Sequence, residues 1–528
     1  MNKIVQLLLV ITLFFSVSNT GLAQNDLPSD YLSSEFHKNR RDEFRKMMPD
    51  NSMAVIFANT QVGYNFLYHL NPDLYYLSGY RDADAVLFIF SEKQTDGKNT
   101  FNEVFFVPER NPVIESWNGK RLGVNGVKKQ LGFSDVYPVK SLNSFNVNYD
   151  KFDYILYGNI PVYNNKPSSD YDLKYIIDVL KTKIHIDRDV DLHKERLYIA
   201  KTLTHNNISS ISAYYIRKTE LNNKYNNDPV LSDIINNPDS LKIDDIITRA
   251  KKEPVWGTDI YKEIITTLRQ VKTEEEITLL RKAVNITCKG HVEVMRTVSP
   301  EMSEREIEGI HTYIHRQNES EIEGYSPIIG SGENGCILHY AFNSKKHVGN
   351  NLVLMDVGAE YHGYSADVTR TIPATGKFTK EQRQLYELVY QAQEEVFKLC
   401  KAGTQFAELD KKAKEILANG LLKMGIINSL DEVGYYYPHG CSHYLGLDVH
   451  DIGDYQELQE NMVITVEPGI YIPEGSKCDK KWWNIAIRIE DDVLIKKDSC
   501  EILSLSAPRK WNEIEKIQKQ KSSFQIKL

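Results

Sequence analysis

Four carboxylates lie inside stretches otherwise built for burial, and any fold open to this chain has to neutralise them. Asp356 and Asp367 sit in LVLMDVGAEYHGYSADVTRTI, from Leu352 to Ile372, Glu467 sits in VITVEPGIYI, and Glu490 closes NIAIRIE. Apolar and β-branched residues dominate each run, which predicts buried strands. A carboxylate carried into such a strand is costly unless it is paired, protonated or bound to a metal.

The first run reads as a hairpin around Glu360-Tyr361-His362-Gly363. A turn centred between Tyr361 and His362 sets Asp356 directly opposite Asp367. Opposed Cβ atoms in a ladder lie about 4.5–5.5 Å apart, and like charges there are destabilising. A shared proton, an arginine or a bridging divalent cation each answers that repulsion. Arg488, two residues before Glu490, points to the same face of its strand, so for that strand taken alone a structural ion pair is the simpler account.

The stretch HGCSHYLGLDVHD supplies His439, His443 and His450. The spacing of the first two imitates a helical zinc pair. Pro438, Gly440 and Gly446 argue against a helix, however, and the glutamate of HExxH is missing, which excludes a zincin. His311 and His315 share the same spacing on a capped helix and are expected to face solvent.

Capping boxes at Thr273/Glu276, Ser303/Glu306 and Thr379/Gln382 open three helices, and a fourth runs through Leu409, Ala413, Ile416 and Leu417. Two helices followed by antiparallel strands, stated twice, predict a pseudo-duplicated α+β domain over residues 271–510, its acids at the centre of the sheet. Ahead of it, residues 26–183 alternate short apolar runs with polar helical stretches and predict a smaller α/β domain. Residues 184–270 are polar and Asn-rich and read as a helical insert or linker, and residues 511–528 as a polar tail.

The chain has 528 residues, 41% of them hydrophobic, and a net charge of −8 without a basic block. That balance argues against a nucleic-acid partner. Lys3, the apolar run from Leu7 to Val17 and the small residues Gly21-Leu22-Ala23 read as an export signal over residues 1–23, implying a periplasmic or secreted chain. The run falls short of the ~20 residues needed to span a bilayer, so stable membrane insertion is not expected. The six cysteines are sparse and lack CxxC spacing, and no disulfide is assigned to them.

Taken together, Asp356, Asp367, His443, Glu467 and Glu490, in this order and context, resemble the five metal ligands of the pita-bread metallopeptidases, family M24, over residues 271–510. Among the members, SGENGCILHY with His339, the serine at Ser442 of the histidine segment, and the stretches DLYYLSGY and ESWNGKRLG look like the aminopeptidase P branch with its creatinase-type N-terminal domain. The resemblance implies two divalent metal ions, with Mn(2+) favoured by oxygen-rich ligation. It also implies release of the first residue from peptides with proline second. It assigns proton transfer to Glu467, which is also a ligand, and supporting catalytic roles to His339, His439 and His450. Arg488 would orient Glu490 and the substrate, and Trp117 and Tyr471 would bind substrate. A prolidase acting on Xaa-Pro dipeptides is the alternative within the family, and a metal-free binding module the alternative outside enzymology. The resemblance is compatible with a homo-oligomer.

Overall fold

The computed structural model describes residues 30–522 apart from 60–69, 159, 162–170, 185–194, 197, 200, 205–206, 222–224, 226–227, 238–241 and 252–254. The export signal expected at residues 1–23 lies outside the described residues. Residues 34–528 form one unit. No described helix is long and apolar enough to cross a membrane.

The N-terminal part is built on strands β1 (Ser52–Phe57), β2 (Val86–Thr95), β3 (Thr100–Val107), β4 (Val136–Pro138), β5 (Tyr154–Tyr157) and β6 (Val255–Trp256), in the order β4-β3-β2-β1-β5-β6. Every residue of β1 is buried, as a strand covered on both faces requires. The helix Leu173–Ile184 packs its apolar side with Met53, Val55 and Phe88. Helix α1 (Ser34–Met47) buries Phe36 and Phe44, and α2 (Pro72–Ser78) follows with its N-cap Asn71 accepting from the Leu74 amide. Helix α3 (Pro112–Asn118) is capped in the same way by Asn111.

One expectation changes here. Strand β6 pairs in parallel with β5, Tyr154 with Val255 and Ile155 with Trp256. The first sheet therefore closes beyond residue 184, and the polar segment is an insertion within this domain whose helices Ile208–Leu221, Pro229–Asn236 and Ile243–Lys251 share a small core of their own. Helix α4 (Thr258–Gln270) leads out of it.

The second part repeats a helix pair and strands twice. Helices α5 (Glu274–Thr297) and α6 (Glu304–Gln317) both begin with complete capping boxes and lead to β7 (Ile322–Glu323), β8 (Ile328–Ser331), β9 (Leu352–Val357), β10 (Ala359–Tyr361), β11 (Tyr364–Ser365) and β12 (Val368–Pro373). Helices α7 (Lys380–Phe397) and α8 (Ala407–Lys423) then lead to β13 (Val463–Val466), β14 (Gly469–Ile472), β15 (Ile485–Arg488), β16 (Asp491–Ile495) and β17 (Cys500–Ile502). The anticipated C-terminal tail instead forms helix α9 (Trp511–Ile517), with Ile514 fully buried.

The hairpin register differs from expectation. His362 and Gly363, both at positive φ, make the two-residue turn, as a type I′ geometry demands, and Tyr361 pairs with Tyr364. Asp356 consequently faces Thr369, not Asp367. Gly363 is further fixed by proximity, since a Cβ there would lie 2.9 Å from the Tyr75 ring.

His311 and His315 are also not solvent-facing. Both are fully buried on α6, stacked edge-on in series with His291, and His315 Nδ1 meets Glu323 Oε2 at 2.6 Å. Burial holds His291 and His311 well below the usual imidazole range.

Helix α7 braces the strands that follow it. Gln393, fully buried, donates through Nε2 to Val466 O, Ile489 O and Asp491 Oδ2 at 2.9–3.0 Å. Gln393→Ala leaves two carbonyls and part of a carboxylate without their donor, and should lower unfolding free energy by roughly 2–4 kcal/mol. Urea unfolding followed by circular dichroism reads this, and an unchanged midpoint would contradict the bracing role.

Candidate metal centre

The ends of four strands deliver acids to one buried locus. Asp356 lies near the end of β9. Asp367 falls in the gap between β11 and β12, where its own amide donates to Asp492 Oδ2 at 3.1 Å and not to a ladder partner. The Tyr325 hydroxyl reaches both carboxylates, 2.5 Å from Asp356 Oδ1 and 2.6 Å from Asp367 Oδ1. The two aspartates thus converge across one tyrosine in place of direct cross-strand pairing.

Glu467 follows β13, its amide donating to Cys441 O at 2.8 Å. Glu490 follows β15 and accepts from the Thr369 hydroxyl at 2.5 Å. His443 Nδ1 lies 2.9 Å from Tyr444 O, while its Nε2 stands 3.4 Å from Asp367 Oδ2 and 3.5 Å from Glu467 Oε1. Ligand atoms of Asp367, His443 and Glu490 all lie within 4.8 Å of one another. That donor set, carboxylates with one imidazole, suits a hard or borderline divalent cation.

The electrostatics point the same way. Burial, then the neighbouring Asp356, raises the Asp367 carboxyl. Glu467 is pushed up to about 7, chiefly by burial with Asp367 adding to it. Glu490 is driven well above the carboxylate range by burial and by Asp367 and Glu467. Burial would lower His443, but its hydrogen bond to Asp367 and the charge of Glu467 outweigh it and hold it at about 9. Four carboxylates thus share the locus with the Arg488 guanidinium and the His443 imidazole, an excess of negative charge that bound divalent cations would offset.

Around this centre, Arg488 contacts Asp356 directly and reaches Glu490 through Thr369. Its Nη2 meets Asp356 Oδ2 at 2.5 Å, its Nη1 donates to the Tyr471 hydroxyl at 2.8 Å and its Nε to Thr369 Oγ1 at 3.2 Å. It orients Asp356 directly, and the Glu490 carboxylate through the Thr369 hydroxyl. His439 Nε2 lies 2.8 Å from the same Tyr471 hydroxyl. Burial and the nearby Arg488 lower its pKa to about 4, so it is a neutral hydrogen-bonding group. The His450 ring stands 4.3 Å from that of His443. Burial, His443 and His339 all lower its pKa, which places His339 in the same neighbourhood. Trp117, on α3, is 79% exposed, and none of the hydrogen bonds or ring contacts described for the centre involves it.

Sequence reasoning missed Tyr325, Thr369 and Asp492. The acidic pair Asp491-Asp492 directly after Glu490 was a signal for the last; Tyr325 and Thr369 carry none.

Contacts with the N-terminal part hold the histidine segment. Arg269, at the end of α4, pairs with Asp73 at 2.7 Å, with Asp448 at 2.7 Å and with Asp451, and Lys272 meets Asp451 at 3.0 Å. Tyr75 donates to His362 O at 2.9 Å.

Comparison with known proteins agrees with this geometry. Residues 278–497 match the model of metallopeptidase family M24, and residues 37–150 that of the aminopeptidase P N-terminal domain. The Xaa-Pro aminopeptidase of Escherichia coli (strain K12) is 31% identical over 504 residues, covering 92% of this chain and 98% of that protein. The chain belongs to metallopeptidase family M24. The mitochondrial intermediate cleaving peptidase 55 of Arabidopsis thaliana is 28% identical, covering 90% of this chain and 81% of its own length. Among solved structures, Escherichia coli aminopeptidase P with the inhibitor Pro-Leu superposes with a TM-score of 0.71 at 28% identity, over 92% of this chain and 98% of that one. Proline aminopeptidase P II of Yersinia pestis gives 0.71 at 27%, over 92% and 99%. As a member of the aminopeptidase P group the protein is a metalloaminopeptidase that uses divalent metal ions, with the α+β architecture expected.

Metal binding requires His443 unprotonated and Glu467 ionised. Below about pH 9 a proton must leave His443, and below about 7 a second must leave Glu467. Affinity for a divalent ion should therefore fall as pH falls, by about a thousandfold between pH 8 and pH 6 from these two groups, and further for Glu490, whose carboxyl is also raised. Calorimetric titration of metal-stripped protein with manganese checks this, and a constant affinity across that range would contradict it.

Proposed function

We propose that the protein removes the N-terminal residue from peptides whose second residue is proline, using two divalent ions, preferentially Mn(2+), held by Asp356, Asp367, His443, Glu467 and Glu490. The observation that carries this reading is the convergence of those five side chains on one buried locus, in a chain that matches a Xaa-Pro aminopeptidase along 98% of its length. When bound, the ions supply a water of lowered pKa and polarise the scissile carbonyl.

The chain's own residues do the rest. Glu467, held at about 7 by burial, is suited to take the proton of the attacking water and pass it to the leaving proline nitrogen. On the family resemblance, His339, His439 and His450 are proposed to stabilise the tetrahedral intermediate and the leaving imino group; neutral His439 turns its Nδ1–H to Gly440 O and accepts at Nε2 from the Tyr471 hydroxyl. Arg488 acts through Asp356 and Tyr471 as a positioning residue. The acidic centre reads the substrate's free α-amino group. Proline has no N–H, so selection rests on ring shape. Trp117 is proposed as a substrate contact on the family resemblance alone. No described feature favours the prolidase alternative, which needs a positive group free to hold the proline carboxylate; Arg269 and Arg488 are both already paired.

We further propose an exported protein, in the periplasm or secreted, on the strength of residues 1–23. An N-terminus near Gln24 on protein recovered outside the cytoplasm is the expected finding, and an intact Met1 on cytoplasmic protein would refute it.

The activity test compares Ala-Pro, Ala-Pro-Ala, a longer Ala-Pro peptide and its N-acetylated form with manganese present. Cleavage of the second and third peptides and none of the acetylated one is expected. Asp367→Asn should abolish cleavage while circular dichroism stays native. Cleavage of Ala-Pro alone would show a prolidase, and equal cleavage of Ala-Ala-Ala would remove the proline requirement.

A further inference from the structure

Behind the catalytic strands, two cysteines far apart in sequence meet at the end of one helix. Cys400 follows α7 by three residues and its Sγ donates to Val396 O at 3.4 Å. Cys500 opens β17, opposite Ile495 of β16, and its Sγ donates to Phe397 O at 3.5 Å. The acceptors are consecutive carbonyls of the last turn of α7. The backbones are joined as well, because Ala402 N donates to Lys496 O at 3.1 Å, and Lys496 N to Ser499 O at 2.9 Å. Cys400 is fully buried, whereas Cys500 is partly exposed.

We propose that Cys400 and Cys500 are a redox pair that closes to a disulfide, tying the end of α7 to β17, when the chain meets a protein or low-molecular-weight disulfide as oxidant. Each thiol gives its one hydrogen to a carbonyl of that turn; the neighbouring Cys400 and then Arg509 lower the Cys500 thiol, while Cys500 and burial hold Cys400 high. Cys500, more accessible and more readily ionised, is the attacking thiolate. It loses its proton and displaces one thiolate from the oxidant, forming a mixed disulfide. Cys400 then gives up its proton and attacks the Cys500 sulfur, forming the internal bond and expelling the second thiolate. Two protons and two electrons pass to the oxidant, which leaves as two thiols.

The loop so closed contains His439, His443, His450, Glu467 and Glu490. Its anchor, α7, carries Gln393, which holds the ends of β13 and β15. A bond closing a loop of this length restricts the unfolded chain strongly, and it braces the helix against which the glutamate-bearing strands rest.

The test uses full-length, metal-loaded protein incubated with oxidised glutathione, alkylated and digested without reduction. Expected is a cross-linked peptide joining Cys400 to Cys500, lighter by two hydrogens than its reduced components, with a thermal midpoint a few degrees above that of the reduced protein. Cys500→Ser should lose both the cross-link and the rise, and Cys478→Ser, at another partly exposed cysteine, should keep both. Recovery of Cys400 and Cys500 as separate alkylated or glutathionylated peptides would overturn the proposal. So would a midpoint rise that survives in Cys500→Ser.

Discussion

The repulsion among carboxylates that share one water-poor locus is the constraint on which the rest of the structure depends. Asp356, Asp367, Glu467 and Glu490 cannot all ionise side by side without compensation, and the surrounding elements supply it in layers. Tyr325 donates one proton between the two aspartates, Thr369 donates to Glu490, and Arg488 meets Asp356. Behind them Arg370, fully buried, pairs with Asp491 Oδ1 at 2.6 Å and donates to Glu490 O at 2.6 Å, while Ser504, Arg509 and Gln393 also meet the Asp491 carboxylate. Breaking such a pair strands a buried charge, which is far costlier than the pair is worth. The polar ring therefore fixes strand ends that apolar packing alone would let slide.

Much of this was legible in the sequence, because local rules and global demands coincide in the catalytic half. Three capping boxes mark helix starts at Thr273, Ser303 and Thr379, and all three are complete in the structure. Acids inside β-branched runs marked the strands. The hairpin register failed for a specific reason: the turn sits at His362-Gly363, one position beyond the expected centre, and a shift of one at the turn moves each pairing by two. Asp367 then escapes the ladder altogether, and only the distant Asp492 fixes its amide. His311 and His315 were misplaced although Ile307, Ile310 and Ile314 share their helical face; the helical periodicity already put them inside. Tyr325 and Thr369 had no such signal, since their partners come from remote segments.

The N-terminal domain contributes to the centre through charge as well as shape. Arg269 joins Asp73 of α2 to Asp448 and Asp451 beside His450, and burial leaves that guanidinium with acids on both sides of the contact. The histidine segment has no regular secondary structure, so its rotational freedom has to be removed by tertiary bonds. None of these ion pairs and hydrogen bonds involves a described residue of the polar insertion before β6.

Protonation links the fold to its metal ions. Burial raises the Glu490 and Asp492 carboxyls well above the carboxylate range and Glu467 to about 7, so each resists ionising in a closed core. A divalent cation bound by these side chains would compete with protons for them. Arg488 already neutralises Asp356, and Tyr325 spans two acids with one proton. The protons left to exchange are therefore those on His443, Glu467 and Glu490, which face one another across the space a cation would fill.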